Sequence, residues 1–254
     1  MHREKEKTIK DFLKELTIEN RENLTEIIVA DPEKVQEVIE FLSDKKEDLR
    51  INAASILGQF GDVRTVDPLI RALSDKKKTV RREAADSLGE LQDEKAVEPL
   101  IKALKDKDAG VRMFAARALG NFGDKRALDP ILKLLEDNDE GVRQWACDSL
   151  GELGIYSQDV IEALKRHLED KDKRTRLCVA KALGRFGDKS GFEVAMEILE
   201  GGRVRKGDVF LKTHAVEALG YIGDLGAKPL LTEAKESSNS FLRQAAIKAL
   251  ERLE

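Results

Sequence analysis

The sequence predicts an all-α fold, a right-handed α-solenoid (superhelix) of about eight antiparallel helix pairs, from three observations. First, a basic residue recurs at a fixed interval: Arg50, Arg81, Arg112 and Arg143 lie 31 residues apart, and Arg176, Lys212 and Arg243 follow after 33, 36 and 31. Second, apolar residues inside each unit return at helical spacing. Third, the composition is that of good helix formers, with 37% charged and only 5% aromatic residues. A period of roughly 20–50 residues marks an array of units, each too small to bury its own apolar face until it stacks on a neighbour.

Each unit reads as two helices. Between Gly61 and Lys77, Val66, Leu69, Ile70 and Leu73 fall at i, i+3, i+4 and i+7 and define one face. Pro68 lies near the start of that helix, where a missing N–H is tolerated, and Pro99 and Pro130 share its period. The next stretch, Thr79 to Asp93, carries a second face of Val80, Ala84, Ala85 and Leu88. Gly58, Gly89, Gly120, Gly151, Gly184 and Gly220 are expected to close the second helices, because glycine tolerates the left-handed conformation that ends a helix. No unit shows strand alternation or an Asn-Gly hairpin signal.

The ends depart from the repeat. Residues 1–30 carry Ile9, Phe12, Leu13 and Leu16 at helical spacing, then Leu24, Ile27 and Ile28, and are read as a degenerate capping helix pair. Residues 31–254 are expected to form one continuous repeat domain. An insertion from Glu200 to Asp208, with three glycines and the bases Arg203, Arg205 and Lys206, is expected to be a mobile loop.

Composition excludes several classes. Apolar runs such as Ile27 to Ala30 are far too short to span a membrane. The charged start has no apolar signal region, and two cysteines cannot build a disulfide framework. A cytoplasmic protein without a membrane partner is expected. The Lys/Glu excess and scarce Gln, Asn, Cys and Met point to a thermophile. A formal charge of −4 opposes general nucleic-acid binding. It is unevenly spread: Lys165 to Lys212 holds 13 basic against 8 acidic residues.

The shared pattern is D-x5-R-x2-AA-x-AL-G-x-[FL]-GD-x3-[AV]-x-P-[LI]. It resembles the short HEAT-like repeats of phycobiliprotein lyase subunits, and more closely the designed alpha-helicoidal HEAT-like repeat proteins, over residues 31–254. The segment Asp31 to Leu42 resembles their N-terminal cap. The resemblance implies a structural role for Asp44, Asp75, Asp106, Asp137 and Asp170, each six residues before its arginine: the acid caps or bridges turns while the arginine reaches a neighbouring unit.

It also implies that the second helices line a concave face that binds a protein or peptide. Counting the Val of each Val-Arg step as zero, positions 2, 3, 6 and 10 are expected to point away from the core. The candidate partner-binding residues drawn from them are Met113, Phe114, Arg117, Trp145, Asp148, Leu177, Lys181, Arg185, His214 and Tyr221. Met113, Phe114, Trp145 and Leu177 are expected to form an exposed apolar strip, and such patches mark interaction sites.

Catalysis is not expected. Cys147 sits at an alanine position and reads as packing. Cys178 and His214 share a position in adjacent units, but two ligands without a third make no metal site, so neither metal nor cofactor is expected. HEAT-like deoxyhypusine hydroxylases need His-Glu pairs; the matching positions here are Arg82–Glu83, Phe114–Ala115, Trp145–Ala146 and His214–Ala215. Trp145 and Asp148 imitate the aromatic and acid of HEAT-like alkylpurine DNA glycosylases, but this chain is regular and acidic. The reading is therefore a non-enzymatic, monomeric interaction scaffold. The alternatives are a bilin lyase or chaperone-like subunit and, behind it, a DNA-binding protein or glycosylase.

Overall fold

A computed structural model describes residues 8–201 and 208–254, and these divide into two compact units on either side of the boundary between 122 and 123. All regular structure among these residues is helical. The first unit holds α1 (Ile9–Lys14), α2 (Ile18–Ala30), α3 (Lys34–Glu40), α4 (Glu47–Phe60), α5 (Val66–Ala72), α6 (Lys78–Leu91), α7 (Val97–Ala103) and α8 (Ala109–Phe122). The second holds α9 (Leu128–Lys133), α10 (Glu140–Leu153), α11 (Gln158–Lys165), α12 (Lys173–Arg185), α13 (Phe192–Glu200), α14 (Asp208–Ile222), α15 (Lys228–Lys235) and α16 (Ser240–Glu251). The chain is thus the α-solenoid of paired helices that the repeat predicts. The insertion expected to be mobile falls largely outside the described residues.

Each regular pair joins a short first helix to a longer second one. The second helices stack on one another within each unit, α4 on α6 on α8, and α10 on α12 on α14 on α16. Between the layers lie fully buried leucines, among them Leu57, Leu69, Leu88 and Leu100 in the first unit and Leu150, Leu164, Leu183 and Leu219 in the second. Burying one such side chain contributes about 1.5–3 kcal/mol. At the N-terminal end Phe12, Leu13, Leu24 and Ile28 are buried, and α1 packs on α4, where the Asn52 amide donates to the Leu13 carbonyl at 2.7 Å.

The periodic glycines correct one sequence expectation. Gly58 and Gly184 lie inside their helices, not at the ends. They are needed because the stacked helices touch there: a Cβ on Gly58 would sit 2.5 Å from the Ser87 Cβ. The left-handed caps are made three residues later, by residues such as Gly61 (φ 72°) and Gly154 (φ 66°). In the second regular unit the cap is Gln92, held at φ 52° without a glycine's freedom.

The aspartates and arginines form a clasp between layers. Asp75 Oδ1 accepts the backbone N–H of Lys77 at 2.8 Å and so shapes the turn into α6. The same carboxylate receives Arg50 from the preceding layer, at 2.8 Å from Nε and 3.0 Å from Nη2. Arg50 Nη1 also donates to the Asp44 carbonyl at 2.9 Å. The arrangement repeats in Arg81 with Asp106 and in Arg143 with Asp170, each with a 2.7 Å closest approach. Burial alone would raise these carboxyls, but the facing guanidinium outweighs it and holds Asp75, Asp106 and Asp170 below the usual carboxylate range. The aspartate pattern is interrupted after Arg176. Six residues before the next basic position, Lys206 replaces the aspartate, and among the described residues the buried Nε of Arg176 has no hydrogen-bond partner.

Candidate partner-binding face

The candidate residues divide between the units. Met113, Phe114 and Arg117 lie half-buried on α8. The Arg117 guanidinium stands 5.0 Å from the Phe114 ring centre and pairs with Asp86 on α6.

In the second unit α10, α12, α14 and α16 bring the others onto one face. Asp139 and Asp172 cap α10 and α12 by accepting the N–H groups of Val142 and Thr175, at 3.1 and 2.7 Å, which fixes the register of each helix. Trp145 and Asp148 lie one turn apart on α10, both half-buried. Asp148 reaches across to α12, with its Oδ1 2.7 Å from the Lys181 ammonium. Burial opposes that ammonium's charge, but Asp148 and, more weakly, Glu217 outweigh it and raise Lys181 above the ordinary lysine value. On α14 the Phe210 and His214 rings lie tilted against each other at 42° with centres 4.1 Å apart, and His214 Nδ1 lies 2.9 Å from the Phe210 carbonyl oxygen. Trp145, Phe210 and His214, with Arg174 and Asp148, line a cleft of about 170 Å³.

At the C-terminal end the face becomes basic. Tyr221 lies under two guanidinium groups, Arg185 from α12 at 4.9 Å and Arg252 at 4.2 Å from its ring centre. Contact of Arg185 with its hydroxyl and both positive charges lower the Tyr221 pKa.

Two positions expected on this face are buried. Leu177, 1% exposed, packs among Ala215, Val216 and Leu199 and is a core residue, not part of an exposed strip. Cys178 is 5% exposed. Position 2 lies seven residues, almost two full turns, before the glycine at position 9, so it shares the side that meets the next helix. Burial pushes the Cys178 thiol up to about 12, with Asp148 adding to the effect, and pushes Cys147 well above the ordinary thiol value. Neither is a thiolate near neutral pH. Sequence reasoning missed Phe210 and Arg174. They stand one residue before the Val position and therefore one turn before His214 and Cys178, on the same side.

Among the described residues no group of three or more His, Cys, Asp or Glu side chains is placed to hold a metal ion. No helix there is long and apolar enough to cross a membrane.

Stacked helix pairs with a side-chain-rich second-helix face define a helical-repeat protein. The chain belongs to the HEAT repeat family, whose model matches residues 22–85, 35–113, 66–151, 97–167 and 129–208. It is similar to a chain of the complex of CpcE and CpcF of phycocyanin lyase from Nostoc sp. PCC7120, at 27% identity and a TM-score of 0.65, covering 86% of this chain and 93% of that one. It is also similar in fold to YibA from Escherichia coli, at 23% identity and a TM-score of 0.66, over 97% of this chain and 92% of that one. No curated protein matches the chain in sequence.

Proposed function

We propose that the chain is a non-enzymatic, cytoplasmic interaction scaffold, and that the face formed by α10, α12, α14 and α16 receives a partner protein or peptide. One observation carries this reading: Trp145, Phe210 and His214 line a cleft on that face while the core sides of the same helices are filled by Val, Ala and Leu. Trp145 is the only tryptophan, and half-buried aromatic residues beside a cleft are the usual anchors of an interface. Neither thiol is poised as a nucleophile, and Asp148, one turn from Trp145 on α10, is already paired with Lys181. Hydrogen exchange of the chain with and without a partner purified from its source tests the reading. Protection concentrated on α10, α12, α14 and α16 is expected; protection confined to α9, α11, α13 and α15 would place the interface elsewhere.

A second reading, a bilin lyase or chaperone-like subunit, rests on the 27% identity to the phycocyanin lyase chain. A visible absorbance change on mixing with a bilin would favour it over the scaffold.

A further inference from the structure

We propose that the basic end of this face, across α12, α14 and α16, takes an acidic segment of the partner, with side-chain carboxylates seated beside Tyr221. The inference rests on the second-helix face being the binding surface and adds the chemistry of what binds there. Equivalent positions on successive helices form two rows, one turn apart. One row reads Lys181, Glu217, Lys248; the other reads Arg185, Tyr221, Arg252. Five of these six residues are charged, and four are cations.

The cations differ in how far they are already satisfied. Lys181 is committed to Asp148 at 2.7 Å. Arg185 is held loosely, 4.0 Å from Glu152. Lys248 and Arg252 are exposed, and among the described residues neither has a carboxylate within ion-pair distance. Both guanidinium groups nevertheless converge on one ring, at 4.9 and 4.2 Å from its centre. Contact with Tyr221 restrains both guanidinium groups before a ligand arrives, and a restrained guanidinium loses less freedom when it forms the paired hydrogen bonds that a carboxylate accepts.

A polypeptide fits this surface better than a nucleic acid. Asp148, Glu152 and Glu217 interrupt the positive charge on the same face. An unbroken phosphate chain would meet these acids on α10 and α14, whereas a peptide can place apolar residues opposite them. The chain's overall charge of −4 likewise gathers no phosphate backbone.

The test is fluorescence anisotropy of the full chain with three labelled probes: a short peptide alternating glutamate with leucine, the same peptide with lysine for glutamate, and a single-stranded DNA oligonucleotide. The acidic peptide is expected to bind, and the double variant Lys248→Glu, Arg252→Glu to weaken it roughly tenfold or more, mainly through association and in a salt-dependent way. Both residues are exposed, so an unchanged thermal melt confirms the fold; the milder Arg252→Gln should give a smaller loss in the same direction. Equal or tighter binding of the lysine peptide, tighter binding of the DNA with a steep salt slope, no binding of the acidic peptide, or an affinity indifferent to charge reversal would each overturn the proposal. If it fails while a native partner still protects the second helices in hydrogen exchange, only the acidic character is lost and the binding face stands.

Discussion

Gly184 of α12 lies against the backbone of Ile222 in α14, so close that a Cβ at position 184 would stand 2.7 Å from the Ile222 nitrogen. The obstacle is backbone and cannot swing aside. Gly184→Ala should therefore lower stability by about 1–3 kcal/mol, although alanine is the better helix former. Chemical denaturation of the two proteins checks this. A gain in stability would show that the stacked helices separate freely.

Gln92 should behave in the opposite sense. It holds a left-handed φ of 52° at the place where neighbouring units use glycine. That conformation costs a side-chain-bearing residue on the order of 1 kcal/mol. Gln92→Gly is expected to raise the urea midpoint, with no change in the slope of the transition.

The clasp makes a prediction about pH. Asp75, Asp106 and Asp170 have folded pKa values below their unfolded ones. Their stabilisation is therefore fully present above the unfolded carboxylate value, roughly 4, and disappears as pH falls through the lower folded values. Asp106→Ala should cost about 3 kcal/mol at neutral pH, because it strands the buried Arg81 guanidinium. The gap between wild type and variant should narrow below about pH 4. Denaturation series across pH would reveal a constant gap if the carboxylate charge were irrelevant.

The two thiols should be silent in the folded protein. Cys147 and Cys178 are buried and protonated. A disulfide reagent at mildly alkaline pH is expected to release no colour from the native chain and two equivalents after unfolding in urea, matching its two cysteines. Rapid native reaction would mean that the packing around α12 opens readily.

Trp145→Ala separates binding from folding. Because Trp145 is half-buried, the variant should keep a near-native melting temperature. Binding to a native partner should fall by roughly 30-fold or more, about 2 kcal/mol. Several kcal/mol of lost folding stability would instead assign Trp145 to the core.

Much of this was legible in the sequence because the repeat multiplies weak signals. A single Val-Ala-Leu face is ambiguous, but seven copies in register determine the helix pairs. The Asp and Arg pairing was readable for the same reason. Burial at position 2 was less visible, since one helix read alone does not show which side meets its neighbour; Leu177 therefore looked exposed. The glycine at position 9 held that information, but it was read as a cap. Phe210 escaped because it stands before the segment where the pattern begins.

The placing of the clasps has a mechanical consequence. In a stack where each layer touches only its neighbours, deformation gathers at the joint with the fewest directional bonds. The bidentate clasps Arg50–Asp75, Arg81–Asp106 and Arg143–Asp170 resist twisting of one layer against the next, whereas apolar packing such as that around Leu177 resists separation more than rotation. Twisting is therefore expected to be stiffest between α4 and α6, α6 and α8, and α10 and α12, where an arginine of one layer grips the turn of the next.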